Sequence, residues 1–313
     1  MPCWLRTTPG SLNNRIMKLK RRALLTGLLR ATAKLPLPLA HAVGAGFGWL
    51  LWRIPGNPVR TIAERNLALC FPEVPCHERD ALLCWNLQET GKLLCELGPL
   101  WLWSGERVLK LVRDSVAGEA MLAEAVRQKT GAILLTPHLG SWEMAGLYYS
   151  SRHPLTILYR PSRLGLDAMS RQGRGRLGGK VVATDPSGVR ALLAALRDGE
   201  VLGILPDQDP GPEGGVFAPF FGIPASTMTL VSRLALKTKV PVFLTWAERL
   251  PRGQGFRLHL RALPEVTAAR SLEQSAAALN GGVEAAVRSL PAQYLWAYKR
   301  FKTRPPNAPE LLY

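Results

Sequence analysis

Residues Gly131 to Gly146 read GAILLTPHLGSWEMAG, and the order of residue types in this stretch decides the fold. The apolar run AILLT (Ala132–Thr136) reads as a short buried strand. Gly140 permits a sharp turn, and Ser141 opens a helix with Glu143 in its first turn. The same alternation continues downstream. LTILY (Leu155–Tyr159), KVVAT (Lys180–Thr184), VLGIL (Val201–Leu205), VPVFLTW (Val240–Trp246) and FRLHLRAL (Phe256–Leu263) read as strands. Ser141–Ser150, Pro186–Arg197 and Thr227–Thr238 read as helices between them, and Ser271–Arg288 as a further alanine-rich helix. Around the second of these, Asp185 is a cap, Pro186 suits the first helical position and Gly199 marks the end. Strands alternating with helices predict an α/β fold, a sheet with helices on its faces.

Upstream the pattern is helical. Residues 59–129 read as helices, with apolar spacing clearest in Glu78–Leu97. Ahead of these, residues 23–58 are mostly apolar, and Leu35–Trp52 carries no formal charge over a length near that of a hydrocarbon core. Pro36, Pro38 and His41 weaken it as a spanning helix, while Trp49, Trp52 and Arg53 suit an interfacial anchor. The expectation is one shallow N-terminal membrane helix, with a buried core helix as the alternative. Residues 1–22 are basic and read as a poorly ordered N-terminus, and 59–313 as the catalytic domain.

The formal charge of +17 over 313 residues favours an anionic partner. Basic residues crowd the first 65 positions, where Glu64 is the only acid. A basic run beside an apolar segment points to anionic inner-membrane lipid, and without finger spacing or interleaved aromatic residues no nucleic-acid partner is expected. Five cysteines, an odd number with no CxxC, make neither a disulfide framework nor a zinc site.

His138 falls at the carboxyl end of a strand, where open α/β sheets bind ligands. Glu143 follows with four residues between, within reach across the turn. A carboxylate on one imidazole nitrogen fixes the tautomer and leaves the other to take a proton from a hydroxyl. The helix start offers backbone N–H groups to an oxyanion. A strand-end histidine is more often structural, so the spacing alone decides little. Arg160 follows the second strand, as a substrate-phosphate ligand or a surface arginine. Arg171, Arg174 and Arg176 lie among glycines, as a basic loop for an anionic substrate or a solvated one. Asp207, Gln208 and Asp209 follow VLGIL, the acids expected to hold arginines and shape the site floor rather than bind metal. Phe217, Pro219, Phe220 and Phe221 line an acyl tunnel, touch the membrane or pack in the core. Trp296, Lys299, Arg300 and Lys302 read as a solvated basic edge.

Five blocks, in order, resemble the late acyltransferases of lipid A biosynthesis, the lauroyl/myristoyl transferase family. They are ERNLALCFPE (Glu64–Glu73), HLGSWE (His138–Glu143), YRP (Tyr159–Pro161), DQDPGPEGGVFAPFFG (Asp207–Gly222) and PAQYLWAYKRFKTRPP (Pro291–Pro306). The resemblance covers nearly the whole chain. It implies a glycerolipid-acyltransferase-like fold at the cytoplasmic face of the inner membrane, an acyl-acyl carrier protein donor and a lipid A precursor acceptor. It implies no cofactor and no metal, and it makes His138 and Glu143 the catalytic pair. Pro137 and Ser141 depart from residues frequent in the family, and the turn around Gly214 and Gly215 is altered, which leaves the acyl chain and the acceptor position open. With no G-x-S-x-G elbow, direct transfer is favoured over an acyl-enzyme. The rivals are an acyltransferase for another lipid, such as a lysophospholipid or ornithine lipid, and a non-catalytic basic membrane-binding protein.

Overall fold

The computed structural model describes residues 22–114, 116–160, 167–211, 213–308 and 311–313. Residues 1–21, most of the basic N-terminal stretch, lie outside the described residues, as do Pro161 of the YRP block and Pro212.

A helical layer comes first. Helix α1 covers residues 22–33. Then come α2 (Leu37–Arg53), α3 (Pro58–Cys70), α4 (Cys76–Leu102) and α5 (Gly105–Leu109). The expected single anchor helix over residues 23–58 is thus broken. Pro36 caps α2 with extended backbone and Pro38 sits in its first turn, so neither can continue a helix arriving from α1. No helix among the described residues is long and apolar enough to cross a membrane. Instead α2 packs along α4 through glycines: a Cβ on Gly44 would stand 2.4 Å from the Gly91 carbonyl oxygen, and one on Gly48 2.0 Å from that of Leu87. Its buried stripe is Leu37, Ala40, His41, Gly44 and Gly48. The opposite stripe, Leu39, Val43, Phe47, Leu50 and Ile54, is apolar and exposed.

The sheet follows. Its strands are β1 (Val112–Arg113), β2 (Ala132–Leu135), β3 (Leu155–Tyr159), β4 (Lys180–Ala183), β5 (Val201–Ile204), β8 (Val242–Arg249) and β9 (Phe256–Ala262). Their order is β1-β9-β8-β2-β5-β3-β4, parallel from β8 to β4, with β9 antiparallel to β8. The intervening helices are α6 (Glu119–Arg127), α7 (Trp142–Ser150), α8 (Asp167–Gly175), α9 (Pro186–Arg197), α10 (Thr229–Thr238), α11 (Pro264–Ala268) and α12 (Leu272–Ser289). β2 and β5 are buried along their full length, which is why they read as unbroken apolar runs. Two clusters of apolar side chains cover the sheet, one built on Ile133, Leu135, Leu202 and Ile204, the other on Ala132, Leu134 and Val201. Alternate residues of one strand feed opposite faces.

Two readings are corrected here, and one left open is decided. The stretch Gly215–Phe220 and Ile223–Met228 forms an antiparallel hairpin, β6 and β7, turned through Phe221 and Gly222 at positive φ, so α10 starts at Thr229 rather than Thr227. Phe220 and Phe221 pack in the core against Phe71, Tyr294 and Trp296, leaving Phe217 exposed. Arg171 and Arg174 lie on α8, not in a loop, because Gly173 lets that helix rest directly on the Trp101 ring.

Candidate active site

The site is built where β2 and β5 end side by side. Leu135 of β2 is in register with Ile204 of β5, and the Thr136 N–H donates to the Ile204 carbonyl. Each chain then runs through a proline, Pro137 and Pro206, to a polar residue, His138 and Asp207. Equal offsets from a paired register bring the two together. The Asp207 carboxylate takes His138 Nδ1 at 2.8 Å on one oxygen and the His138 backbone N–H at 2.9 Å on the other. Asp207 is 3% exposed. Burial alone would raise its carboxyl pKa; the charge and hydrogen bonds of His138 outweigh that and hold it below the ordinary range. Burial, with the nearby Asp207 charge, lifts the Tyr294 hydroxyl far above its usual value.

With Nδ1–H given to Asp207, Nε2 carries the lone pair. Gln208 Nε2 stands 3.1 Å from it and donates to it. The ring packs edge-on against Trp142, centroids 4.9 Å apart. His138, Asp207, Gln208 and Tyr298 also line a small polar pocket with Asn66 and Arg300.

Glu143 does not orient His138. Its carboxylate is taken by Arg174, with Nη2 2.5 Å and Nε 3.0 Å from Oε1, and by Trp101 Nε1 at 3.2 Å. In the first turn of α7, Glu143 faces Arg174 of α8, whereas Asp207 arrives at the imidazole directly from the neighbouring strand. Ahead of the helix, the Gly140 N–H donates to the Gln293 carbonyl and the Ser141 N–H to that of Ala247, while no side chain caps the first turn of α7 itself.

The other predicted site residues divide. Arg174 is internal, its guanidinium kept charged by Glu143 against its own burial. Arg176 donates to the carbonyls of Leu100, at 2.8 Å, and Trp103. Arg160 is exposed at the end of β3, and its charge reaches the Tyr298 hydroxyl. Asp209 holds no arginine: it accepts from the Gly211 N–H and from the Thr303 N–H and hydroxyl, pinning the C-terminal segment over the site. In that segment Trp296 and Arg300 are buried, whereas Lys299 and Lys302 are exposed.

An apolar cavity of about 30 Å³ lies on the far side of Trp142 from the histidine. Leu134, Thr136, Leu155, Ile157, Gly203 and Leu205 form its floor on the sheet; Trp142, Glu143, Gly146 and Leu147 of α7 form its roof; and Arg174 closes one side. Trp142 is the shared wall, lining this cavity and touching the imidazole. Sequence reading missed Tyr294, Trp142 and Trp101 as site residues. The repeated strand-proline-polar ending, LTPH and ILPD, marks His138 and Asp207 alike as strand-end residues, and only the adjacency of β2 and β5 makes them neighbours.

A carboxylate-held imidazole at a strand end, near an apolar cavity, is an arrangement that an α/β enzyme can use for proton transfer. The chain belongs to the bacterial lipid A biosynthesis acyltransferase family, whose model matches residues 13–303, and it is accordingly an acyltransferase. It is 33% identical over 290 residues to a lipid A biosynthesis acyltransferase of Haemophilus influenzae, covering 91% of each chain. It is 31% identical to the lipid A biosynthesis lauroyltransferase of Escherichia coli K12, over 90% of this chain and 92% of the relative. It is 32% identical to the palmitoleoyltransferase of the same organism, over 89% and 90%.

Proposed function

We propose that the protein transfers a fatty acyl group from an acyl-acyl carrier protein thioester to a hydroxyl of a lipid A precursor, with His138 as general base. The observation that carries this is the His138–Asp207 pair at the paired ends of β2 and β5, with Trp142 as the wall between the imidazole and the apolar cavity. In the reaction the acceptor hydroxyl displaces Gln208 from Nε2. Its proton passes to Nε2 as its oxygen attacks the thioester carbonyl, and Asp207 stabilises the imidazolium that forms. The tetrahedral intermediate collapses, the C–S bond breaks, and the imidazolium returns the proton to the leaving thiolate. The acyl tail lies between α7 and the sheet. Glu143 and Arg174 hold each other at the polar end of that cavity and keep its shape. Arg160, exposed near Tyr298, meets the phosphate of donor or acceptor. No step calls for a cofactor.

The exposed stripe of α2, with Trp85, Leu94 and Leu102 of α4 also uncovered, supports a protein lying on anionic membrane rather than spanning it. Arg53, stacked over Trp49 and Trp52 at the helix end, marks the headgroup level. An acyl-acyl carrier protein donor would be met at the cytoplasmic face of the inner membrane, which is where the proposed reaction sets the protein.

The test is reconstitution. Purified protein with acyl-acyl carrier protein and a lipid A precursor is expected to add one acyl chain by mass spectrometry, and His138→Ala to abolish the addition. Transfer to a lysophospholipid or ornithine lipid instead, with none to the precursor, would move the assignment to another acceptor.

A further inference from the structure

A buried ion cluster lies beneath the turn that carries His138, and the chemistry above does not use it. Arg249, the last residue of β8, donates from Nε to Glu96 Oε2 at 2.7 Å and from Nη2 to Glu96 Oε1 at 2.9 Å. Its Nη1 stands 3.5 Å from Glu89 Oε2. Nη2 also donates to the Gly140 carbonyl at 2.7 Å. His41 of α2 meets the same Glu96 carboxylate at 2.9 Å. The Glu96 and Arg249 side chains are 0% and 2% exposed.

Stability is a weak reason for such a cluster. A buried ion pair is often matched or bettered by apolar residues of the same volume. What apolar residues cannot supply is the bond to Gly140. That residue lies two positions after His138, at φ +61, and a Cβ there would stand 2.1 Å from the Ala247 carbonyl oxygen. Only glycine fits, and glycine is the residue least able to hold its own backbone. The surroundings hold it. The Gly140 carbonyl is fixed by Arg249, and its N–H by the Gln293 carbonyl. Gln293 is in turn clamped to the Arg249 backbone, accepting its N–H at 2.8 Å and donating to its carbonyl at 3.0 Å.

We infer that Arg249 is a positioning residue for acyl transfer: it locks the Gly140 peptide, and through it the placement of His138 between Asp207 and Trp142. Glu96, itself held by His41, sets the plane of the guanidinium. The catalytic turn and the helix with the outward apolar stripe therefore share one carboxylate. The inference rests on His138 being the base.

The experiment compares wild type, Asp207→Asn, Arg249→Lys and the pair Arg249→Met with Glu96→Gln. Each is assayed as full-length protein in micelles, with acyl-acyl carrier protein and a lipid A precursor. The paired variant leaves neither charge buried alone, so its melting temperature is expected near wild type. Its kcat is expected to fall about 100-fold, the scale of a misplacement of about 1 Å, with acceptor KM little changed. A paired variant that folds and keeps kcat within about threefold of wild type overturns the inference. Should the pair not fold, Arg249→Lys decides. A lysine keeps the charge opposite Glu96 but cannot span Glu96 and Gly140 together. A folded, slow enzyme supports positioning, and wild-type kcat overturns it. Absence of transfer by the wild type itself would count against the proposed function and not against Arg249.

Discussion

His138 and Asp207 stand at equal distances beyond a matched pair of strand residues, Leu135 and Ile204, and this register makes the dyad. The catalytic geometry is thereby tied to the most rigid part of the molecule, two fully buried parallel strands. Asp207→Asn keeps the shape of the carboxylate but cannot balance an imidazolium. It is expected to lower kcat by about 10² to 10⁴ with little change in acceptor KM. Combined with His138→Ala, it is expected to add almost nothing, because the two act as a unit. Steady-state kinetics of the single and double variants check both statements.

Glu143 answers to a different partner. Glu143→Gln leaves the Arg174 charge in a buried site without its counter-ion and is expected to lower the melting temperature. Adding Arg174→Met is expected to recover much of that loss, since removing both halves of a buried pair costs less than removing one. Thermal denaturation of the three variants tests this. If the second change brings no recovery, the Glu143–Arg174 pair is not what holds the cavity.

Much of this arrangement was legible in the sequence, and the failures have physical causes. β3 and α9 fall on their expected residues, since apolar runs and an Asp-Pro helix start are local signals. The β6–β7 hairpin was not seen because Pro219 and Pro224, paired with each other across it, argue against strands wherever they occur. The partner of His138 was misassigned for a deeper reason. Glu143 is near in sequence, while Asp207 is 69 residues away and becomes a neighbour only because β5 inserts beside β2 ahead of β3 and β4. Strand order is a property of the assembled sheet that no local pattern carries. The N-terminal segment was read from its hydropathy, charge and anchor residues, which register that α2 is apolar but not that one of its faces is made of glycines fitted to α4.

The cavity predicts how chain length is chosen. Gly146 lines it from α7, and a Cβ there would meet no atom within 4 Å. Gly146→Ala therefore adds a methyl to this wall without a clash and, by replacing a mid-helix glycine, is expected to stabilise α7 by up to about 1 kcal/mol. Long acyl donors are expected to lose kcat/KM by about 10- to 200-fold per displaced methylene, while short ones are spared. A series of donors of increasing length measures this. An unchanged length profile would place the acyl tail elsewhere.

The apolar stripe of α2 predicts the membrane contact. Phe47 and Leu50 are both about half exposed. The double change Phe47→Glu and Leu50→Glu is expected to leave the melting temperature unaltered and to release the protein from anionic vesicles in a flotation assay. Wild-type flotation of this variant would assign attachment to another surface.

Acid stability follows from Glu96. Burial raises its pKa, but the Arg249 charge and the hydrogen bonds from His41 and Arg249 more than reverse this, to about 2 from an ordinary 4.5. A group depressed on folding stabilises the fold above its unfolded value and ceases to do so as pH falls through its folded value. The melting temperature is therefore expected to fall between pH 4.5 and 2, a window set by the values for Glu96. Glu96→Gln is expected to be less stable at neutral pH and to show a shallower fall across that window.

The distance along the chain between Glu96 and Arg249 has a consequence for biosynthesis. They are 153 residues apart. At a synthesis rate of about 5–20 residues per second, Glu96 emerges roughly 8 to 30 seconds before the guanidinium that neutralises it. Over that interval Glu96 lacks the guanidinium that neutralises it in the finished fold. The helical layer made first by the ribosome is thus the layer finished last. Its apolar stripe is available to the bilayer throughout, so the nascent chain can reach the membrane before it has an enzyme to deliver there.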